Sequence, residues 1–270
     1  MQRLWSSSKT SLPVAAFGQT DIGRCRSNNE DNYLFVNLNT NHCDWNELKH
    51  SFQLGEGRIL LVVADGMGSE SSGEVASEMA VKAIRDALLM PSYYSSDARL
   101  KSAIEMANQR IHRHAQHDSN LLGMGTTVTA VLVEDGRAHI AQVGDSRAYL
   151  LRGLNMSQLT KDQSLAQYLV NTGQIAPEHM SMVRQNILMQ AVGAQETVHV
   201  ALSRVELQWD DYLLLCSDGL SNKVSTKEMR EILRVEPNLD AACNRLVNLA
   251  NARGGEDNIT VVVARFNGVS

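Results

Sequence analysis

The residues best suited to chemistry in this chain are acids placed where apolar runs stop. Glu30-Asp31 stands just before the run 33–38, and Asp65-Gly66 follows the run 58–64 (RILLVVA). Asp145 closes a third run in Val143-Gly144-Asp145-Ser146, and Asp218-Gly219 follows 212–216. Asp257 directly precedes the final run, in Gly254-Gly255-Glu256-Asp257-Asn258. A carboxylate at a strand end is held by the rigid sheet yet projects from its edge. A glycine beside it lets backbone carbonyls and water come close. Taken singly, Asp-Gly and Glu-Asp are ordinary turn residues. Five such sites, each attached to a strand, weigh against turns alone. If they converge, they repel one another unless a cation sits among them. Oxygen ligands at that density suit Mg²⁺ or Mn²⁺ rather than zinc. Spacing alone leaves convergence open.

The elements that must position these acids are read from hydrophobic periodicity. Residues 14–19, 33–38, 126–133, 138–143, 148–151, 198–207, 212–216 and 258–266 read as strands. Run 58–64 is continuously apolar, as in a strand buried on both faces. Glu134-Asp135-Gly136 supplies a hairpin turn. Residues 39–57 are polar and irregular and read as a loop. Helical stripes run through 73–89, ended by Pro91, and 98–114. Residues 165–178 read as a helix broken at Gly173, 226–234 and 239–252 as further helices, and the stretch up to Gly193 is ambiguous. Strand clusters interrupted by paired helices suggest one α+β domain with helices packed on sheets. Periodicity leaves the topology open.

Composition narrows the classes. The 270 residues carry a formal charge of −5, which gives no basic footprint for nucleic acid. Cys25, Cys43, Cys216 and Cys243 lie far apart with no CxxC pair, so reduced thiols in a cytosol are expected. Residues 1–13 are polar and serine-rich, unlike a signal peptide, and no apolar run reaches the length of a membrane span. A soluble cytoplasmic protein without nucleic-acid or membrane partners is expected.

The local sequences around the acids carry a resemblance. They run Thr20-Asp21-Ile22-Gly23-Arg24-Cys25-Arg26-Ser27-Asn28-Asn29-Glu30-Asp31, Val62-Val63-Ala64-Asp65-Gly66-Met67-Gly68 and Gly125-Thr126-Thr127. They continue with Val143-Gly144-Asp145-Ser146-Arg147, Leu159-Thr160-Lys161-Asp162, Ser217-Asp218-Gly219-Leu220 and Gly255-Glu256-Asp257-Asn258-Ile259-Thr260. In this order they resemble the PP2C-type (PPM) metal-dependent serine/threonine protein phosphatases, in their bacterial form. A piece such as Ser-Asp-Gly is weak alone, whereas the ordered set is specific.

The resemblance implies an α+β fold: a central sandwich of two antiparallel β-sheets flanked by α-helix pairs, four layers in all. It implies one domain over 13–270 behind a flexible 1–12, with a flap segment at about 165–193. It implies two divalent cations, Mn²⁺ or Mg²⁺, and a third cation site. Asp65 would bridge the two, and Gly66 would offer its backbone carbonyl to the first. Asp218 and Asp257 would bind the second, with Glu30 supporting that side. Asp31 would hold metal-bound waters, Asp145 with Asp218 would form the third site, and Arg26 would bind the substrate phosphate. Glu30, Asp65, Asp218 and Asp257 would about balance two divalent ions. The cations would acidify a water that attacks phosphorus in line, without a phosphoenzyme. Arg26 suits a phosphate because its planar fork donates two parallel hydrogen bonds. The implied substrates are phosphoserine and phosphothreonine on regulatory proteins, such as a kinase or a regulator, acted on by a monomer.

Departures from the family's pattern are Ser69-Glu70 after Asp-Gly-Met-Gly, where Gly-His is usual, and Gln163, where many members have histidine. More distant eukaryotic members carry a histidine, a suspected general acid, at the position of Met67. Met67 cannot donate a proton, so a metal-bound water is the expected acid. Met180, Met182 and Met189 in the flap segment suit adaptable contacts with a protein substrate, or an ordinary core-covering loop. His112, His114 and His117 at a helix end read as a solvated face rather than a metal site, and Asn41-His42-Cys43 is no stronger. Two rival functions remain: a catalytically dead binding module on the same fold, disfavoured by the intact acids, and a metal-dependent nuclease or general phosphomonoesterase, disfavoured weakly by the lack of a basic groove.

Overall fold

The computed structural model describes residues 13–40, 42–45, 52–68, 72–184 and 187–266. Segment 1–12 and Ser69-Glu70 lie outside them. In chain order come β1 (Val14–Asp21), β2 (Asp31–Asn37), β3 (His42–Trp45), β4 (Phe52–Gly55) and β5 (Ile59–Met67). Helices α1 (Ser72–Leu89) and α2 (Ser96–His117) follow, then β6 (Gly125–Thr126), β7 (Val128–Glu134), β8 (Arg137–Val143), β9 (Arg147–Arg152) and β10 (Asn155–Gln158). Next are α3 (Leu165–Asn171), a 3-10 turn over Pro177–Met182, β11 (Ala201–Glu206) and β12 (Tyr212–Cys216). The chain continues through α4 (Asp218–Ser221), α5 (Thr226–Val235), α6 (Leu239–Ala252) and β13 (Ile259–Phe266).

The strands form two antiparallel sheets. One has the order β10-β9-β12-β13-β1-β4, the other β11-β8-β7-β5-β2-β3, with β6 added to β5. Side-chain alternation decides what each face covers. On β5, Ile59, Leu61 and Val63 point between the sheets, while Leu60, Val62 and Ala64 point to α1 and α2. On β13, Val262, Ala264 and Phe266 point between the sheets, while Val261 and Val263 meet α5 and α6. Covered on both faces, these strands have no need of polar positions, which is why they read as continuous apolar runs. The result is the expected four layers, helices on either side of a sandwich.

Three local expectations need correction. Residues 39–57 are not simply a loop, because β3 pairs with β2 and β4 pairs with β1. Both lie at a sheet margin, where no apolar alternation is required. The run 126–133 is interrupted at Thr127, which separates β6 from β7. β10, also a margin strand, and the single turn α4 carried no periodic signal. The hairpin at Asp135-Gly136 is as expected, with φ of 48° and 73°, the left-handed pair that a two-residue turn between twisted strands demands.

Candidate metal centre

Each sheet contributes acids to one end of the sandwich. In the second sheet Asp31 opens β2 and lies directly across from Asp65 near the end of β5. Opposed residues of antiparallel strands project from the same face, so like charges there repel. Asp65 is fixed by Thr127 in the break between β6 and β7. The Thr127 N–H donates to the Asp65 carbonyl at 2.8 Å, and the Asp65 N–H donates to Thr127 Oγ1 at 3.0 Å. Thr127 Oγ1 also bonds Ser146 Oγ at 2.7 Å, tying β5 to the turn that carries Asp145. Gly66 has no room for a side chain: a Cβ would lie 2.2 Å from the Gly73 carbonyl oxygen, so α1 starts hard against the end of β5.

The first sheet brings Asp218 after β12 and Asp257 before β13. Asn258 fastens this end to the segment before β2. Its Oδ1 accepts from the Glu30 N–H at 2.8 Å, and its Nδ2 donates to the carbonyls of Ile22 and Asn28 at 2.9 Å each. Ser217 bridges the sheets, its Oγ donating to Asp31 Oδ2 at 2.7 Å and accepting from the Thr260 N–H at 2.9 Å. Glu30 accepts a hydrogen bond from the Gly73 backbone at the N-terminal end of α1, where partial positive charge favours a carboxylate.

Glu30, Asp65, Gly66, Asp145, Asp218 and Asp257 thus line one cleft of about 290 Å³ together with Arg26. Asp31, expected beside them, is buried at its base, 1% exposed. Electrostatics record the crowding. Asp31 is pushed up to about 7 by burial first, against the hydrogen bond from Ser217, and Asp145 to about 7 by burial and then the charge of Asp218. Asp218 is raised to about 6 by burial and then by Asp257. Asp65 is held well above the usual carboxylate range by burial and then by Asp31, Asp218, Asp145 and Asp257. Burial also raises Glu30. Arg26 Nη2 sits 2.7 Å from Asp257 Oδ2, so the residue expected to meet phosphate is paired with one of the expected ligands.

The donor set fits divalent cations on two counts. It consists of oxygens, and two buried carboxylate oxygens in it, Asp31 Oδ1 and Asp218 Oδ1, lack any hydrogen-bond partner. A buried anionic oxygen without a partner is costly, and a cation supplies what is missing. Among the described residues, no three His, Cys, Asp or Glu side chains are already grouped about one point as ligands. Asp257 is instead turned onto Arg26, and the other oxygen of Asp218, Oδ2, accepts from Asn222 Nδ2 at 3.1 Å.

Residues 46–258 match the family model of protein phosphatase 2C. The chain belongs to the protein phosphatase 2C family. Among its relatives, serine/threonine phosphatase stp of Listeria monocytogenes is 39% identical over 250 residues, covering 91% of this chain and 93% of that protein. Protein phosphatase PhpP of Streptococcus pneumoniae is 37% identical over 252 residues, 92% and 96% of the two chains. The crystal structure of the Mycobacterium tuberculosis serine/threonine phosphatase PstP/Ppp superposes with a TM-score of 0.81 at 35% identity, over 95% of this chain and 100% of that one. The catalytic domain of PstP solved in complex with 2 manganese ions gives a TM-score of 0.78 at 34% identity, over 95% and 99%.

Positioning residues without an assigned role from sequence are Thr127, Ser217 and Asn258. Each is one hydroxyl or amide among many, and only the tertiary hydrogen bonds single it out. The family departure at Gln163 also has a job. Its Oε1 accepts from the Gly144 N–H at 2.9 Å and its Nε2 donates to the His199 carbonyl at 3.2 Å, so it clamps the Asp145 turn to the segment before β11. Met67 is exposed at the cleft rim, and Leu188 reaches the cleft from the segment after α3.

Proposed function

We propose that this cleft is the active site of a metal-dependent serine/threonine protein phosphatase, and that Asp65 would be the ligand shared by its divalent cations. The observation that carries the reading is the pair of partnerless buried oxygens on Asp31 and Asp218, set in a cleft of mutually repelling acids beside one arginine. Asp65 and the Gly66 carbonyl would hold the first cation, and Asp65, Asp218 and Asp257 the second, with Glu30 supporting. Asp145 and Asp218 would form a third site. When bound, such cations acidify a water for attack on phosphorus and offset charge growing on the phosphoryl oxygens. Mn²⁺ or Mg²⁺ suits this all-oxygen set, and the PstP structure with manganese supports the choice.

The chain's own residues do the rest. Asp31, inside the base of the cleft and held by Ser217, orients water with its free oxygen. Arg26 stands at the mouth, half exposed, where its fork can leave Asp257 and take two phosphate oxygens. Its pairing keeps the guanidinium near the reacting position before substrate arrives. Residues 165–193, with Met182 and Met189 exposed and Leu188 at the cleft, would serve as a flap within a single domain over 13–270. The substrates are phosphorylated proteins, with a kinase or regulator as the physiological target, handled by a cytoplasmic monomer. Among the described residues no helix is long and apolar enough to cross a membrane, which is compatible with that setting.

The test is a panel of a phosphothreonine peptide, nitrophenyl phosphate and DNA, each with Mn²⁺ and with EDTA. Hydrolysis of both phosphomonoesters with Mn²⁺ and none with EDTA is expected. Cleavage of DNA would favour the nuclease reading, and inactivity throughout the binding-module reading.

A further inference from the structure

A groove of about 620 Å³ runs between α1 and α2, lined by Val75 and Met79 from one helix and Arg110, Arg113, His114 and His117 from the other. The four basic residues fall at i, i+3, i+4 and i+7, so they share one face of α2. All four are exposed. Among the described residues neither arginine has an acidic partner. The acids nearby are otherwise engaged: Glu74 accepts from Asn28, Glu78 pairs with Lys82, and Asp118 caps the turn after α2. The histidine cluster is not read as a metal site, because among the described residues no carboxylate or thiol lines the groove and two guanidinium groups would repel a cation. His117 Nδ1 is moreover held at 2.6 Å from the Arg113 carbonyl. An apolar floor with a cationic wall is the complement of an extended acidic peptide.

The groove and the active cleft share α1 as a wall. Gly73, in the first turn of α1, packs against Glu30 and Gly66, and Ser77 Oγ donates to the Glu30 carbonyl at 2.6 Å. From Gly73 to Met79 along the helix is roughly 9 Å. Val75 and Met79 lie on the other side of α1 from Gly73, so a peptide must also pass about 10 Å of helix width, a span of about four to five extended residues in all. The chain as a whole is acidic, and its active cleft more so, so an acidic substrate gains from a basic wall such as this one.

We propose that the α1–α2 groove docks an acidic segment of the phosphoprotein substrate, about four to five residues from the phosphorylated side chain. This rests on the phosphatase reading, and the groove then sets which phosphorylation sites are preferred.

The test uses the full chain with Mn²⁺ and the double variant Arg110→Glu/Arg113→Glu. Both arginines are exposed and outside the cleft, so nitrophenyl phosphate turnover should be unchanged. Two phosphothreonine peptides are compared, one with Asp and Glu at positions four to five from the phosphothreonine, the other with Asn and Gln there. Wild type should show a KM about fivefold lower for the acidic peptide, lost at high salt and lost in the double variant. Direct binding of the acidic peptide without phosphate, followed by fluorescence anisotropy, should be weakened to the same extent. Equal KM values in wild type, or a preference kept by the double variant, would overturn the proposal. A single-stranded oligonucleotide binding the groove more tightly than the peptide would overturn it too. If no phosphoester is hydrolysed at all, the phosphatase reading fails, and the anisotropy arm still decides the docking.

Discussion

Asp65 and Arg26 separate two kinds of work at the level of single residues. Asp65 faces Asp31 across β2–β5 and is the most crowded acid of the cleft. Asp65→Asn should lower kcat on both peptide and nitrophenyl phosphate at least about a thousandfold, a loss of ~4 kcal/mol in transition-state stabilisation. Arg26→Ala should instead raise KM about tenfold with a smaller fall in kcat, since a metal-bound phosphate would keep most of its charge stabilisation without the proposed Arg26 contact. Steady-state kinetics on both variants check this, and an Asp65→Asn enzyme with wild-type kcat would remove Asp65 from the bridge. The acids were legible in sequence because each sits at the end of an apolar run, in most cases beside a glycine. The roles of Ser217 and Asn258 were not, although both fall inside the matched motifs, since a hydroxyl or an amide that ties distant strand ends together leaves no local pattern.

At the level of elements, the site depends on backbones that touch. A Cβ on Gly219 would come within 2.0 Å of the Asn258 carbonyl oxygen. Neither strand end can retreat without dragging Asp218 or Asp257. Gly219→Ala should therefore cost ~1–3 kcal/mol of stability and weaken Mn²⁺ binding together. Thermal denaturation and calorimetric titration report the two effects, and a variant that lost stability with unchanged Mn²⁺ affinity would uncouple them. Elements differ in legibility for a related reason. β5 and β13 announce themselves because both faces are covered. β3, β4 and β10 are short margin strands whose pairing comes from a neighbour's free edge rather than their own composition.

For the whole molecule, the cleft is a store of repulsion. Asp31 and Asp145 near 7 and Asp218 near 6 are all raised above their ordinary value, so without metal the folded state holds protons that the unfolded chain releases. Stability from this source is complete below about pH 4 and is lost as pH rises through about 6–7. Metal-free protein should melt at a lower temperature at about pH 8 than at about pH 5. Saturating Mn²⁺ should raise the midpoint at pH 8 by about 5–10 °C. Metal-free Asp65→Asn should be more stable than metal-free wild type there, because one like charge is gone. Melting curves in EDTA and in Mn²⁺ decide it, and a less stable metal-free Asp65→Asn protein would count against the convergence of these charges.

The most C-terminal of the described strands lies inside the first sheet. β13 runs between β12 and β1, pairing Val14 with Phe266, and Asp257 arrives only with it. On the ribosome the site therefore cannot assemble until β13 has emerged. A nascent chain stopped before residue 259 has β1 and β12 with nothing between them and lacks the alignment of Asp218 with Asp257. Such a chain should bind no Mn²⁺ and should recruit chaperones, which ribosome-stalled translation products would reveal. A phosphatase whose site waits for β13 cannot strip signals from its neighbours while that sheet is still open.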